Sequence, residues 1–523
     1  GDDLCAPRRL ADDLTDAGFV VDRAAGVVQA WPPSGASTDG QAGSRRKLAR
    51  SLRTAFGTDL ARSPGMAPAQ TAGGHHAHSP LSRRSERRQP EHTALYQVVA
   101  RHWPAFREQA EEAGGLPKFV TTEFDQYLRC GVLEHGFLRL ACTSCGHERL
   151  VGFSCKRRGF CPSCLGRRMT DSALHLTESV FPKVMVRQWV CSLPWGLRAL
   201  LGYDRRLCSL VLRAFTEEVQ RSLKRRAKKV LGLIGVPLAH TAGITFIQRF
   251  DSALRLNVHF HSLFLDGAYI EQSDGSLEFC ELAEPTPEQV ADVARRTARR
   301  VADALRKAGK SLTPEFDTDH EDTDAFAESQ AALALCYASA ARGVDITGER
   351  AGQPSLRLID QDIVQRSEPA AVVQGVNVHA ATAVDGRDRK RLERLCRYLA
   401  RPPIAQDRLE LLADGRVHYT LKKAWRDGTR AIVLEPHGLI ARLCAMIPPP
   451  RFNMIRFHGL FAPAAKRRAQ VVPQKECLSL TDASAAELAR ARQMGLFGRD
   501  ELAPRRRPWA HLLRHVFLVD VTV

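Results

Sequence analysis

The chain has 523 residues, 44% of them hydrophobic and 26% charged, which is ordinary for globular protein and ample for two or three domains with their own cores. Lys and Arg outnumber Asp and Glu by 76 to 58, a formal charge of +18, and an excess of that size points to a polyanionic partner, nucleic acid first. No run of about 18 apolar residues is present, which excludes a membrane-spanning helix, and the opening GDDLCAPRRL lacks a signal-peptide layout, so a cytoplasmic, nucleoid-associated protein is expected.

Residues 1–92 are rich in Gly, Ser, Pro, Ala and Arg and are expected to stay without a packed core, apart from a short basic helix near 45–56. The tract His75-His76-x-His78 falls in the same linker and reads as incidental. Residues 93–178 form a helical and cysteine-rich region. Apolar residues at helical spacing from Leu95 to Phe106 predict a helix over 94–128, and a second is predicted over 167–180. VMVRQWVCSL reads as a buried strand, and 203–230 as a basic amphipathic helix. Next comes a hairpin, one strand over 243–249, a turn at 251–253 and a return strand over 256–265. A helix over 286–308, an acidic insert over 313–330, a strand over 370–384 and a basic helix over 387–401 follow, the last stopped by Pro402-Pro403. Two strands, 408–412 and 416–423, meet across Asp414-Gly415, a strong hairpin signal. This mixture predicts an α+β domain over 179–473, with a central antiparallel sheet flanked by helices, and a basic helical tail over 474–523.

Cys142-x2-Cys145 and Cys161-x2-Cys164 are separated by fifteen residues. Each pair offers two thiolates from one tight turn, and Zn2+ takes four soft ligands at tetrahedral corners, so a structural zinc site is predicted. Cys130, His135, His147 and Cys155 lie in the same window and could form a second site, supply replacement ligands or simply pack. Arg157, Arg158, Arg167 and Arg168 are interleaved with the cluster, which makes it a candidate DNA-holding module.

In the strand NVHFHSLFL, period-two alternation puts His259 and His261 on one face and Phe260 on the other. Two imidazoles at i and i+2 can grip one divalent metal. A third ligand would come from Gln248, roughly opposite His259 on the hairpin, or from His379 on a later strand; Gln248 is preferred. Such a site keeps open positions and suits Mg2+ or Mn2+ bound to a phosphate. On the helix RDRKRLERLCRYLARPP, Arg391, Arg394, Tyr398 and Arg401 share one side, while Leu392, Leu395, Cys396 and Leu399 share the side that packs. A phenol among guanidinium groups favours phenolate and holds a phosphate nearby. Metal polarisation of a phosphodiester and attack by Tyr398 would give a 5′-phosphotyrosine and a free 3′-hydroxyl.

These blocks, FSCKRRGFCPSCLGRRM, QRFDSALRLNVHFHSLFLDGAY, LERLCRYLARPPIA, LKKAWRDGT and RFHGLFAPAAKRRAQVVP, together resemble the IS91-type and common-region (ISCR) transposases, in family order from about Tyr96 to Pro473. The resemblance implies an HUH endonuclease-like domain preceded by a zinc-binding module, a metal on His259 and His261, Tyr398 as nucleophile, and single-stranded DNA at element ends as substrate. Arg394 stands four residues before Tyr398, where some members carry a second tyrosine, so a single-tyrosine member is expected. A rolling-circle initiator or relaxase would share this chemistry, although no helicase P-loop is present. A non-catalytic zinc-finger DNA-binding protein would need neither the histidines nor Tyr398.

Overall fold

The computed structural model describes residues 28–31, 88–141, 148–310, 325–359 and 371–473. The helix expected near 45–56, the histidine tract, most of the acidic insert and the tail over 474–523 lie outside the described residues. So do Cys142, Cys145 and His147.

The chain divides into two compact units. The smaller is built on a three-stranded antiparallel sheet of β1 (Val28–Trp31), β2 (Phe137–Ala141) and β3 (Glu148–Gly152), in that order. In the larger unit, the single helix expected over 94–128 is two, α1 (Ala94–Glu112) and α2 (Lys118–Leu128). Gly114 and Gly115 separate them at φ of 87° and 79°, a left-handed pair that ends a helix whatever the apolar spacing on either side. Thr93 caps α1, its hydroxyl accepting from the Tyr96 amide. Trp103 and Phe124 stack between the two helices with ring centroids 4.0 Å apart.

After α3 (Pro162–Ser179) the chain enters β4 (Met185–Ser192), then α4 (Leu197–Tyr203) and the basic helix α5 (Arg205–Leu231). Asp204 caps α5 by accepting from two backbone amides, and Gly232 closes it at φ 61°. A short strand β5 (Ala239–His240) precedes the hairpin of β6 (Ala242–Phe250) and β7 (Leu256–Leu265). The chain continues through β8 (Gly267–Glu271), β9 (Leu277–Glu281), α6 (Pro287–Lys307), α7 (Ala331–Arg342), β10 (Leu356–Ile359), β11 (Ala371–Val373) and β12 (Val376–Asp385). The strand expected over 370–384 is thus a tight hairpin, β11 paired antiparallel to β12. Helix α8 (Arg389–Leu399), β13 (Leu409–Leu411), β14 (Val417–Thr420), β15 (Thr429–Leu434), α9 (Pro436–Met446) and β16 (Ile455–Gly459) follow, with short helical turns at Ala325–Ser329 and Arg468–Val471 besides.

The central sheet has six strands in the order β11-β12-β4-β7-β6-β16, every neighbouring pair antiparallel. Helices cover both faces, as the α+β expectation required. On one face Ile244, Phe246, Leu263 and Val186 pack with Leu176 of α3 and with Leu392, Cys396 and Leu399 of α8. On the other, Phe260 lies against Phe215 of α5. The bulge in β12 after His379 frees the Ala380 carbonyl from the ladder. The buried Arg187 guanidinium donates to it at 2.9 Å and to Asp266 at 2.8 Å, so the irregularity leaves no orphan there.

One buried polar set has a measurable consequence. Thr245 and Ser262 face each other across β6 and β7, fully buried, with hydroxyls 2.6 Å apart, and His458 Nε2 of β16 lies 2.8 Å from Thr245 Oγ1. Burial, with Arg456 adding to it, pushes the His458 imidazole down to about 4. The unfolded chain therefore binds a proton near pH 6.5 that the folded chain refuses until about pH 4. Stability from this group is present above pH 6.5 and is lost as pH falls through that window, by about 3 kcal/mol. Urea unfolding midpoints of the wild type and His458→Gln should converge with acidification; parallel midpoints from pH 7 to 4.5 would refute the assignment.

Candidate active site and cysteine cluster

The β6–β7 hairpin is set by its turn. Asp251 accepts from the Ala253 and Arg255 amides and takes the Arg255 Nε–H at 2.7 Å, while Leu254 accepts a left-handed φ of 58°. That turn fixes the register in which Gln248 faces His259, as expected, and Phe246 faces His261. On the other side of β7, Ser192 faces His259 and Val190 faces His261. Residues directly opposite one another share a face, so Gln248, His259 and His261 present to one side of the sheet, the side covered by α8.

The two imidazoles lie with ring centroids 4.8 Å apart. His259 Nδ1–H donates to the Asn257 carbonyl at 2.8 Å, which leaves its Nε2 lone pair for a metal. His261 Nδ1 is 2.8 Å from the Gln188 side-chain amide. Burial first, with Arg401 adding repulsion, lowers the pKa of His259, and burial, His259 and Arg401 lower His261 well below the usual imidazole range. Both are therefore neutral at neutral pH, the state that binds metal. Gln248 donates its amide N–H to the Leu399 carbonyl of α8 at 2.9 Å, and its Oε1 is buried without a partner. An orphaned buried oxygen beside two neutral imidazoles is a donor set that a hard divalent cation fits.

His379, the other candidate third ligand, faces Val190, which in turn faces His261, so it lies in the same row two strands away. Among the described residues the one set of three or more His, Cys, Asp or Glu side chains close enough to share a metal is the cysteine quartet described below, and it includes neither His379 nor the pair on β7.

Tyr398 sits near the end of α8. Its neighbours Leu392, Cys396 and Leu399 are buried and Leu395 partly so, while Tyr398 is 40% exposed. Arg401 lies with its guanidinium carbon 4.2 Å from the ring centroid, and Lys422 Nζ is 4.7 Å from it. Partial burial raises the phenol's pKa, but a hydrogen bond from Arg401 and the charges of Arg401, Lys422 and Lys423 outweigh it, so the net shift is downward. Arg401 also acts on both imidazoles, so one cation influences the phenol and the histidine pair together, and its Nη1 is buried without a partner. Arg391 and Arg394 lie exposed on the same helix. Neither Gln188 nor Lys422 was singled out by sequence reasoning. Only the block LKKAWRDGT marked the latter.

Cys130, Cys155, Cys161 and Cys164 bring their sulfurs within 4.8 Å of one another. Cys161 caps α3, Pro162 starts it and Cys164 stands in its first turn, so the CPSC tetrapeptide delivers two sulfurs to one point. Zn–S bonds of about 2.3 Å set tetrahedral S–S separations near 3.8 Å, and the Cys155–Cys164 sulfurs are 3.4 Å apart. The quartet therefore suits zinc by softness, number and spacing, with Cys130 and Cys155 in it; His135 is not among the grouped residues. Of the nearby arginines, Arg158 donates to the Phe452 carbonyl and Arg168 to the Lys156 carbonyl. Arg167 is exposed and Arg157 half-buried.

No helix among the described residues is long and apolar enough to cross a membrane. No solved structure matches the chain. Residues 98–193 match the family described as "Transposase zinc-binding domain", a span containing all four clustered cysteines. Residues 243–469 match the family described as "Putative transposase", and contain Gln248, His259, His261, Tyr398, Arg401 and Lys422. The transposase for insertion sequence element IS801 of Pseudomonas savastanoi pv. phaseolicola is 24% identical over 354 residues, 67% of this chain and 72% of that protein. A zinc-binding transposase module followed by a transposase domain, in the order in which the cysteine quartet and the histidine strand occur, assigns the chain to the IS91-type transposase family.

Proposed function

We propose that this transposase cuts and rejoins single-stranded DNA at the ends of its insertion sequence through a 5′-phosphotyrosine on Tyr398, in rolling-circle transposition by an HUH-type domain spanning 179–473. The observation that carries this reading is Arg401, which touches the Tyr398 ring and acts on both His259 and His261. It ties a phenol of lowered pKa to a metal-competent pair.

His259, His261 and Gln248 would hold Mg2+ or Mn2+, whose charge would neutralise the scissile phosphodiester. Arg401 and Lys422 stabilise the Tyr398 phenolate. The phenolate oxygen attacks phosphorus, a P–OTyr bond forms, the bond to the 3′ oxygen breaks, and that oxygen leaves as a 3′-hydroxyl after protonation. The phosphotyrosine retains the ester, so reversal with a second 3′-hydroxyl joins a new strand. The cysteine quartet would hold a structural Zn2+. Arg391, Arg394, Arg157, Arg158, Arg167 and Arg168 are assigned to the phosphate backbone.

The test is a labelled single strand from the element end, incubated with the protein and Mn2+ and run on a denaturing gel. A protease-sensitive shifted band is expected with wild type, absent with EDTA and reduced roughly a thousandfold in His261→Ala, on the scale of metal charge stabilisation. A band that persists undiminished in EDTA and in His261→Ala would remove the metal from the mechanism. No band despite clear DNA binding would favour a non-catalytic zinc-dependent binder.

A further inference from the structure

Two tryptophans lie in one cluster with three arginines. Trp195 stands three residues beyond Ser192, the β4 residue that faces His259, and its indole is 46% exposed. The Arg198 guanidinium carbon lies 4.0 Å from the Trp195 ring centroid. Arg255, from the β6–β7 turn, is shared between two indoles, 5.5 Å from Trp195 and 4.9 Å from Trp425. Arg357 lies 5.3 Å from Trp425, whose indole N–H is fixed by Ser252 Oγ at 3.1 Å. Five side chains thus form one alternating track of ring and cation, made by segments far apart in sequence.

The track borders the candidate active site. Arg198 is among the charges felt by the His259 imidazole, and Arg255 lies four residues before it on the same hairpin. Arg198 Nε and Nη1 are buried without a hydrogen-bond partner, two donors held ready for an anion. Alternating indoles and guanidinium groups match an unpaired strand, whose bases offer flat faces and whose backbone offers a phosphate at each step. A duplex hides its base faces and cannot use the indoles.

We infer that Trp195, Arg198, Arg255 and Trp425 form a base-stacking platform that grips the single strand next to the scissile phosphate. This inference rests on the single-strand reading above and names the residues that make it base-dependent.

The experiment measures binding separately from cleavage, with full-length protein carrying Tyr398→Phe. Three fluorescein-labelled probes are titrated by anisotropy: oligothymidylate of about 20 nucleotides, an abasic strand of equal length, and a blunt duplex. Oligothymidylate is expected to bind more tightly than the abasic strand and to quench indole fluorescence. Adding Trp195→Ala should weaken it about tenfold, the loss of one base–indole stack, and Trp195→Phe should recover most of that. The abasic strand and the duplex should be unmoved by either change. Equal affinity for the base-bearing and abasic strands, or an unchanged affinity in Trp195→Ala, overturns the platform. The two readings fail separately: base-dependent, Trp195-dependent binding without any phosphotyrosine in wild type defeats the chemistry and keeps the platform, while a phosphotyrosine with base-independent binding does the reverse.

Discussion

Replacing Tyr398 by Phe is expected to abolish the covalent protein–DNA species, below detection on a denaturing gel, in a protein that still folds. The substitution removes one oxygen from a ring that is 40% exposed, while the packing of α8 rests on Leu392, Cys396 and Leu399. Phe keeps the ring that faces Arg401 and Lys422. An adduct that survives in the Phe variant would place the nucleophile elsewhere. The same site fixes a pH dependence. Because the net effect of burial, Arg401, Lys422 and Lys423 is a lowered phenol pKa, adduct formation should rise with pH and level off below the range of a free tyrosine. Arg401→Gln takes away the hydrogen bond and the nearest charge, so its rise should move to higher pH, and Lys422→Gln should move it in the same direction. A profile in Arg401→Gln that superimposes on wild type would show that the guanidinium does not set the phenol's ionisation.

What could be read from the sequence was what short-range geometry dictates. The face shared by His259 and His261 follows from period-two alternation, and the opposition of Gln248 follows from a turn closed by Asp251. The buried stripe on α8 follows from helical spacing. Contacts that join distant segments had no such signal. Gln188 meets His261 because β4 lies between β12 and β7, an order that alternation within any one strand does not specify. Lys422 reaches Tyr398 from the end of β14, and nothing local marks it out from the neighbouring basic residues. In the cysteine window, CxxC spacing picks out Cys161 and Cys164, whereas which of Cys130, His135 and Cys155 would join them is not a matter of spacing; Cys130 and Cys155 do, and Cys142 and Cys145 lie outside the described residues. The split between α1 and α2 was within reach, since Gly114-Gly115 breaks the pattern, but the apolar spacing on both sides masked it.

The second large effect concerns a cation placed deep in the protein. Arg442 of α9 is 1% exposed, and burial lowers its pKa to about 10, with Asp345 and Asp251 opposing the shift. Its Nη1 donates to the Ala253 carbonyl at 2.7 Å and its Nη2 to Ser355 Oγ at 2.6 Å. Ala253 belongs to the β6–β7 turn, so Arg442 anchors from below the turn that sets the register of His259 against Gln248. Arg442→Met should fill most of the volume but leave the Ala253 carbonyl unpaired and remove the cation beside Asp345, whose carboxyl is itself nearly fully buried. Breaking one partner of a buried charged network costs about 3–5 kcal/mol, a large share of a domain's stability. Urea denaturation should show that loss as a lower midpoint, and pairing Arg442→Met with Asp345→Asn should recover part of it, because the second change removes a buried carboxylate left with the partly exposed Arg350, 3.8 Å away, as its ion-pair partner. Lys at 442 should rescue less than a planar guanidinium does, since an ammonium cannot reproduce the two-pronged geometry. A midpoint in Arg442→Met within about 1 kcal/mol of wild type would mean that the turn holds its own shape. The register of the candidate active site would then depend on Asp251 alone.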